Sequence, residues 1–549
     1  MIDPETYDYI VVGGGSAGCL LAARLSDDAS ASVLLLEAGP RDLNPWLHVP
    51  SGFFKTINNP RYDWRYSTEP EPALCNREIA WPRGRVLGGS SAINGLIYIR
   101  GQADDFNDWA QRGNPGWGWT DVLPAFRSVE AQARGASEFH GEDGGLGVED
   151  PVVPLELVSR FVEAGRQAGL PSNDDFNGAD QEGVGRFQLT TKNGRRSSSA
   201  RSFLAAAGRR PNLRVLTSIE AERLEVENRR VKGIHCRRDG VGVYFRCRRE
   251  IVLTAGTIGS TQILQLSGIG DTEVLKAAGI KAIHALPGVG RHLQDHLQSR
   301  LTLRLNRPIS LNNLTRGPLR KLLIGLDYIF RRKGVLSFGA SLAGGFARTP
   351  LSPDRPDIQL HFQPLSLDSY DAGLHPFPGA TISACQLRPE SEGTIFVTSP
   401  DPAARPEIRA NYLSTERDRL TMIEAFRWTR RIASAPALAE IVAEEYRPGS
   451  EVQSDDEILD FIRATGSSIY HPSGTCRMGP NPERGDVVDA RLRVHGLDGI
   501  RVADCSIMPR LVSGNTNAAA IMIGERAAEF IRKDRAASPE ARPMAASRS

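Results

Sequence analysis

The sequence predicts an α/β fold that opens with a Rossmann-like dinucleotide-binding unit. Residues 7–12 form a short apolar run typical of a buried strand, and residues 13–18 read GGGSAG, a G-x-G-x-x-G motif. Helix-forming residues 19–25 follow, and a second apolar run at 33–36 ends at Glu37. In such a unit the glycines admit a pyrophosphate, and an acid about 20 positions further on accepts ribose hydroxyls.

This fingerprint also indicates which residues hold the dinucleotide. FAD and NAD share it, and a second complete copy in a strand–helix setting is missing, so one bound dinucleotide is predicted. A tight turn that binds nothing is the alternative. The contacts expected from the turn and from the end of the second strand are Gly13, Gly15, Ser16, Ala17, Gly18, Glu37 and Ala38.

A second motif overlaps the first, because residues 14–18 also spell G-x-S-x-G. That pattern is the nucleophile elbow of α/β hydrolases, which places a reactive serine between a strand and a helix. The hydrolase elbow follows several earlier strands, whereas a single predicted strand precedes Ser16. We therefore interpret Ser16 as a binding residue and not as a nucleophile.

Length and charge limit the classes of function. A chain of 549 residues predicts more than one domain. Lys and Arg number 67 against 65 Asp and Glu, a net charge of +2, which argues against a nucleic-acid partner because phosphate binding needs a concentrated positive field. The 40% hydrophobic and 24% charged residues are typical of a soluble globular protein.

Cysteine usage and hydropathy favour a cytoplasmic protein. The seven cysteines are odd in number and contain no C-x-x-C pair, so neither a disulfide framework nor a metal site is expected. A run of about 18 apolar residues, which a membrane span would need, is missing. The first residues, MIDPE, do not resemble a signal segment.

Residues 82–101, PRGRVLGGSSAINGLIYIRG, form a second glycine-rich segment. Gly88, Gly89 and Ser90 can lie flat against a ligand, and Asn94 offers an amide. A plain glycine turn before a buried strand is the alternative interpretation.

Four more motifs follow along the chain. Residues 252–270 read as strand, glycine turn, helix and second glycine turn, and residues 286–296 read LPGVGRHLQDH. Residues 468–476 read SIYHPSGTC, and residues 504–517 precede an apolar helix. In combination and in this order the motifs resemble the glucose–methanol–choline (GMC) oxidoreductase family of FAD enzymes, over roughly residues 5–533. The chain is most similar to the bacterial choline-dehydrogenase-like and alcohol-dehydrogenase-like branch.

The resemblance implies the GMC fold. A Rossmann-like FAD-binding domain would comprise residues 1–155, 196–296 and 466–533. An inserted α+β substrate domain, built on an antiparallel sheet, would comprise residues 156–195 and 297–465. Residues 357–362 and 393–397 are predicted strands of that antiparallel sheet. The small and polar residues 534–549 predict a disordered tail.

The resemblance also implies FAD as the cofactor. It would be held non-covalently, because members with covalently attached flavin carry a histidine at the position of Ile93. Asp504 and Cys505 resemble a flavin-contacting loop of the family, and an ordinary strand end is the alternative interpretation. Residues 215–233 predict a strand pair around Glu227 and Asn228, with Glu222 a weaker contact candidate. The further flavin contacts implied are Arg85, Gly88, Gly89, Ser90, Asn94, Gly95, Ala221, Asp504, Cys505 and Asn515.

His471 and Asn517 are the predicted catalytic pair. His471 precedes a proline, which favours extended backbone and a ring presented from a loop, although a structural histidine is the alternative on that residue alone. Its Y-H-P-S-G-T context resembles the catalytic histidine of the family. Asn517 matches the position of a second His or an Asn that partners this histidine. Both Asn517 and Asn515 are also credible caps for the helix predicted at 518–530.

The reaction that this pair implies is oxidation of a primary alcohol to the aldehyde. Neutral His471 would take the hydroxyl proton, hydride would pass to flavin N5, and Asn517 would hold the substrate oxygen. The electron acceptor would be a quinone-type molecule or O2; the sequence does not choose between them, nor does it predict the oligomeric state. The alternatives are a non-redox enzyme on the same fold (a cyanohydrin lyase or a fatty-acid photodecarboxylase) and a flavin-binding protein without turnover.

Three positions depart from the family pattern. Thr261 replaces a usual Pro or Ser, and His292 replaces a usual Asn. Choline oxidases carry a carboxylate on the strand after the D-H pair to hold the trimethylammonium group. We assign that position to Arg304, which would repel a cation, so an uncharged or anionic alcohol is favoured over choline.

Residues 320–334 predict an amphipathic helix with basic ends. Such a helix can lie on a membrane surface. Packing on its own domain is the commoner role, so peripheral membrane contact is the alternative interpretation.

Overall fold

Two seven-stranded sheets organise the computed structural model, which describes residues 5–151, 155–369 and 372–537. In the first sheet parallel strands lie side by side, and a hairpin extends one edge in antiparallel register. The predicted α/β class is confirmed. The parallel strands, in spatial order, are Leu213–Thr217, Val33–Glu37, Thr6–Val12, Val241–Leu253 and Ile500–Val502.

The opening unit has the predicted order of elements. The strand Thr6–Val12, the first helix Ser16–Leu25 and the strand Val33–Glu37 confirm the predicted positions within a few residues. The first helix packs against the C-terminal helix Asn517–Ala537. Both strands are buried almost throughout, which is usual for a parallel sheet with both faces covered.

The carboxyl ends of the parallel strands meet at one edge of the sheet, because parallel strands all run in the same direction. Gly13, Ala38, Thr254 and Asp504 each lie just beyond the end of one of these strands. Ligands of open parallel sheets bind outside this edge. The fold thus brings motifs from both ends of the sequence to one place.

The hairpin of the first sheet corrects one prediction. The expected strand pair exists as Glu220–Glu227 and Arg230–Arg238, with its turn at Asn228 and Arg229. Residues 215–217, however, belong to a different strand, which pairs with Val33–Glu37. Ser218 has φ of 58°, and this left-handed residue separates the two strands.

The second sheet is antiparallel, as expected for the substrate domain. Its strands, in spatial order, are Val442–Arg447, Leu297–Leu305, Gly379–Gln386, Ile358–Gln363, Ala343–Ala347 and Gly183–Arg186, and Ser467–Ser468 also pairs with Leu297–Leu305. The helices Glu156–Gln167, Glu416–Ala433 and Asp455–Thr465 pack on it. The pairing of Ser467–Ser468 crosses the boundary placed at 466, so the exact domain limits stay a prediction.

One of the two strands predicted for this sheet lies elsewhere. The strand at 357–362 is confirmed as Ile358–Gln363. Thr394–Phe396 instead pairs with Glu407–Arg409 in a separate two-stranded sheet. Gln265, on a helix of the first domain, holds it there by donating from Nε2 to the Ile395 carbonyl at 3.1 Å and accepting from the Val397 N–H at 2.8 Å.

Further helices complete the two domains. Those of at least two turns are Ala103–Gln111, Trp119–Val129, Gly256–Leu266 and Pro318–Arg331. Shorter α-helical segments are Phe53–Thr56, Ala205–Ala207, Thr272–Ala277, Leu311–Leu314 and Pro436–Ala439. Within the described ranges, no helix combines the length and the apolar character that a membrane crossing requires.

The C-terminal helix corrects the predicted start of the tail. It continues to Ala537, so residues 534–537 are helical and not disordered. Asp534 forms an ion pair with Arg501 at 2.7 Å, and the Arg501 side chain is buried. This long-range contact holds the last turn of the helix. Residues 538–549, the rest of the predicted tail, lie outside the described residues.

Candidate active site

A cavity of about 610 Å³ lies between the carboxyl edge of the first sheet and the second sheet. Its size is typical of a small-molecule or cofactor site. Most residues that the sequence predicts for the site line it. They are His471, Asn517, Gly13, Gly15, Ser16, Ala17, Glu37, Ala38, Arg85, Gly89, Ser90, Asn94, Gly95, Ala221, Asp504, Cys505 and Asn515.

Three predicted contacts have other roles. A Cβ on Gly18 would lie 1.9 Å from the Gly13 carbonyl oxygen, so this glycine lets the first helix approach the strand before it. Gly88, at φ of 99°, makes a turn and donates its N–H to the Gly14 carbonyl at 2.7 Å. Glu222 pairs with Arg237. Neither glycine lines the cavity, nor does Glu222; Glu220 lines it beside Ala221.

The glycine turns at residues 13–15 and 88–89 meet through their backbones and form what we call the glycine cradle. A Cβ on Gly89 would lie 2.7 Å from the Gly15 Cα, so the two turns leave room for backbone alone. The first helix begins at this cradle, and the helices Gly256–Leu266 and Asn517–Ala537 also begin at the cavity. Free N–H groups at a helix start favour negative charge, so the cradle suits the diphosphate of a dinucleotide.

Glu37 is a buried carboxyl at the far end of the cradle. Its Oε2 accepts the Gly14 N–H at 2.9 Å and its Oε1 accepts the Gly39 N–H at 2.8 Å. Burial raises the pKa of Glu37 to about 7, although both hydrogen bonds oppose that shift. A carboxyl in this position has remaining acceptor capacity for ribose hydroxyls.

The loop that carries His471 is fixed by Asp295. Asp295 accepts the His471 backbone N–H at 2.7 Å and the Ser468 hydroxyl at 2.5 Å, and it also accepts the Tyr412 hydroxyl. Burial raises the pKa of Asp295. Tyr470, at φ of 71°, holds a left-handed turn just before the histidine. These contacts hold the imidazole at a defined position in the cavity wall.

A chain of hydrogen bonds assigns the tautomer of His471. His296 Nε2 lies 3.0 Å from the Leu387 carbonyl, which can only accept, so His296 donates there and its Nδ1 carries a lone pair. His471 Nδ1 lies 3.0 Å from His296 Nδ1 and must donate to the lone pair there. His471 Nε2 is therefore unprotonated and receives the Asn515 amide at 3.3 Å.

The charge state of His471 agrees with this assignment. Burial lowers the pKa of His471 well below its ordinary value, and the neighbouring His296 and Arg83 lower it further. A neutral, buried imidazole with an unprotonated Nε2 is the form that a general base requires.

Asn515, and not Asn517, is the partner of His471. Asn515 donates to His471 and accepts from Gln359 Nε2 at 3.2 Å. Asn517 is the first residue of the C-terminal helix, so it turns towards the first helix and accepts the Ser16 hydroxyl at 2.8 Å. The predicted pairing of Asn517 with His471 is therefore wrong. Sequence spacing cannot choose between two asparagines at one helix start.

Asn517 nevertheless has an unused donor. Its Nδ2 is buried and lacks a hydrogen-bond partner in the described structure. A buried amide donor without a partner costs free energy, so it indicates a ligand acceptor at this position. Together with the glycine cradle and Glu37, it fits a bound FAD.

The second sheet supplies cavity residues that the sequence reasoning missed. Gln298, Arg300 and His361 line the cavity from alternate positions of two strands. Side chains alternate between the two faces of a strand, and this alternation could have identified these residues as facing the cavity. Arg304, the predicted position facing the substrate, is exposed and pairs with Glu444 at 3.2 Å. It lies further along the strand than Arg300 and outside the cavity lining, so that assignment is wrong.

Asp295 and His296 were also missed as site residues. Both lie in the quoted motif LPGVGRHLQDH, and both are buried. An acid and a histidine adjacent to each other in a predicted buried segment are a usable signal, because buried titratable groups cluster at functional sites.

Comparison with known proteins gives consistent matches along the chain. Two family models described as GMC oxidoreductase match residues 7–298 and residues 389–524. An alcohol dehydrogenase (acceptor) from Pseudomonas putida is 44% identical over 533 residues, which is 96% of this chain and 95% of that protein. A mitochondrial choline dehydrogenase from Mus musculus is 39% identical, over 97% of this chain and 90% of that protein.

Solved structures match over the same extent. Pyridoxine 4-oxidase from Mesorbium loti has a TM-score of 0.86 and 32% identity, covering 96% of this chain and 99% of that one. A mutant of formate oxidase from Aspergillus oryzae has a TM-score of 0.91 and 25% identity, covering 97% of this chain and 99% of that one. Such agreement confirms the architecture described above.

Proposed function

This chain belongs to the GMC oxidoreductase family and is an FAD-dependent oxidoreductase acting on CH–OH groups, and we propose that it oxidises a primary alcohol with His471 as the general base. The observation that carries the proposal is the unprotonated Nε2 of His471, which its hydrogen-bond partners leave facing the cavity. The relatives are alcohol and choline dehydrogenases and give no support to a non-redox reaction or to binding without turnover.

His471 Nε2 accepts the hydroxyl proton of the alcohol, and the Asn515 amide donates to the same oxygen and limits its rotation. The bond from Nδ1 of His471 to His296 keeps Nε2 unprotonated, and Asp295 keeps the loop in place. Bound FAD supplies the hydride acceptor. With FAD bound, the Asn517 amide and the start of its helix would hold the cofactor and would stabilise negative charge on it.

We also propose that the substrate is uncharged or anionic and not a cation such as choline. Strand register places Arg300 opposite Ser383 and Ser383 opposite His361, in one row across three strands of the second sheet. Cβ atoms of such neighbours lie about 5 Å apart. His361 Nδ1 is buried without a hydrogen-bond partner in the described structure. Among the described residues, no carboxylate forms an ion pair with Arg300, so this row favours an acceptor or anionic group on the substrate.

The test is anaerobic reduction of the flavin by a panel of alcohols. We expect the yellow oxidised flavin to bleach with aliphatic primary alcohols and with hydroxy acids, and to bleach much more slowly with choline. A flavin that stays oxidised with every alcohol would contradict the redox proposal. Faster reduction by choline than by its uncharged analogue 3,3-dimethyl-1-butanol would contradict the substrate class alone.

The same reduced enzyme tests the electron acceptor. We propose a quinone-type acceptor or O2, and the two are separated by adding air or a soluble ubiquinone analogue to the anaerobically reduced enzyme. Reoxidation that is fast with the quinone and slow with air identifies a dehydrogenase, and the reverse identifies an oxidase.

The rate of flavin reduction is expected to stay constant as pH falls through 6.5. A histidine with an ordinary pKa would become protonated near this pH and lose its function as a base. The pKa of His471 lies well below that value, so the neutral form persists to lower pH. The measurement is the single-turnover reduction rate with one saturating uncharged alcohol at a series of pH values.

The lowered pKa also sets the range of this measurement. Below pH 6.5 the unfolded chain binds a proton at this position and the folded chain does not. The free energy of unfolding therefore decreases as the pH is lowered. Circular dichroism at each pH confirms that the enzyme is folded. An acid limb of the reduction rate centred at or above 6.5, in folded enzyme, would show that the pKa of the base is not lowered, contrary to this prediction.

A further inference from the structure

The helix Pro318–Arg331 turns its apolar face to solvent. Six large apolar side chains on it are exposed, with Leu319 at 67% and Phe330 at 80% of full exposure. At 100° per residue they share one face: Leu319, Leu322, Leu323, Leu326, Ile329 and Phe330. The side of the helix that packs on the protein carries Tyr328, whose hydroxyl donates to the Gly194 carbonyl at 3.0 Å. We call the six exposed residues the apolar face.

Basic residues surround the apolar face. Residues 316–333 contain six Lys and Arg and a single acid, Asp327, which pairs with Arg331 at 3.3 Å. The whole chain has a net charge of only +2, so the remainder of the chain is net acidic. The basic residues are Arg316, Arg320, Lys321, Arg331, Arg332 and Lys333, all exposed except the half-buried Arg332.

We infer that this helix docks the enzyme on an anionic phospholipid bilayer, a partner that goes beyond the proposed function. A helix with one apolar face and a basic border is typical of a segment that lies in the membrane interface. The apolar face enters the acyl boundary, and the surrounding cations meet anionic headgroups. A contiguous exposed patch of six large apolar side chains marks an interaction site.

A second copy of the chain fits this surface less well. A symmetric dimer through the apolar face would bring two strongly basic segments together, and their charges would repel. A bilayer containing anionic lipid offers both the apolar interior and the opposite charge. Charge complementarity therefore favours the lipid surface.

The docking helix is continuous with the wall of the cavity. The chain passes from its last residue through the short helix Val335–Ser337 to Ala340 and Ser341, which line the cavity. Ala340 also donates its N–H to the Gly95 carbonyl at 3.1 Å, beside the second glycine turn. Docking through this helix would hold the cavity close to molecules dissolved in the bilayer, such as an apolar alcohol or a quinone.

The test is cosedimentation of the full-length holoenzyme with vesicles. We expect binding to phosphatidylcholine vesicles that contain about 30% phosphatidylglycerol, and binding at least about tenfold weaker to phosphatidylcholine alone. Salt well above about 0.1 M is expected to weaken the binding. The triple variant Leu323→Ser, Leu326→Ser, Phe330→Ser is expected to bind at least about tenfold more weakly while reducing its flavin with a water-soluble alcohol at the normal rate.

The matched control replaces three exposed apolar residues elsewhere, Leu43→Ser, Val241→Ser and Ile283→Ser, and is expected to bind vesicles like the original chain. Failure of the holoenzyme to bind anionic vesicles, or unchanged binding by the triple variant, overturns the inference. A dimer that the triple variant dissociates, without vesicle binding, assigns the face to a second copy and also overturns it. Sedimentation measures binding and not turnover, so these outcomes are separate from a failure of the proposed function.

Discussion

The variant His471→Ala is expected to reduce its flavin with alcohol about 10³-fold more slowly than the original enzyme. The substitution removes the Nε2 lone pair that the His296 and Asn515 contacts direct into the cavity. Without it the alcohol must lose its proton to water, which is a weaker base than a neutral imidazole. The measurement is the anaerobic flavin reduction rate in a stopped-flow spectrometer, with a saturating uncharged alcohol.

FAD binding is expected to survive this substitution, because the glycine cradle and Glu37 lie on other loops. The control variant is His235→Ala, which changes a histidine of the hairpin outside the cavity lining and is expected to reduce its flavin at the normal rate. If His471→Ala retained FAD and reduced it within about threefold of the original rate, a general base could not be assigned to His471.

The variant Gly89→Val is expected to purify as colourless protein, with less than about a tenth of the normal FAD content. Gly89 has φ of 53°, where a residue with a side chain is strained by about 1–2 kcal/mol and a β-branched one by more. Its new Cβ would also lie 2.7 Å from the Gly15 Cα, so the two turns of the cradle would have to separate. The measurement is the ratio of flavin absorbance to protein absorbance after addition of excess FAD.

Gly242→Val is the matched control. Gly242 lies on a strand of the first sheet, has no other atom within 4 Å of an added Cβ and no positive φ. It is expected to remain yellow. Circular dichroism distinguishes loss of the cofactor from loss of the fold in the Gly89 variant. Folded Gly89→Val with a full complement of FAD would show that the cradle does not hold the cofactor.

Much of the site follows from residues that are close together in the sequence. The order of strand, glycine turn, helix and acid in residues 7–37 predicts a dinucleotide cradle because each part needs only its neighbours to take its shape. His471 was also predictable, because the proline after it fixes the local backbone and the surrounding motif is specific. The α/β class follows from the same local patterns.

The partners of these residues could not be predicted in the same way. Asn515 and Asn517 are equally good helix caps by sequence, and the rotation of the C-terminal helix decides which of them contacts His471 and which contacts Ser16. Strand register likewise decides that Arg300 faces the cavity while Arg304 extends past it to Glu444. Each of these choices depends on contacts between segments far apart in the chain.

The sequence by itself predicted the cradle for the dinucleotide, the histidine that we propose as the base and the amphipathic character of the helix Pro318–Arg331. Only the tertiary structure decided the tautomer of His471, the direction in which that helix turns its apolar face and the helical state of residues 534–537. Local patterns fix backbone shape and residue spacing. Which side chains meet across the fold depends on the rotation and register of packed elements, and short-range patterns do not contain that information.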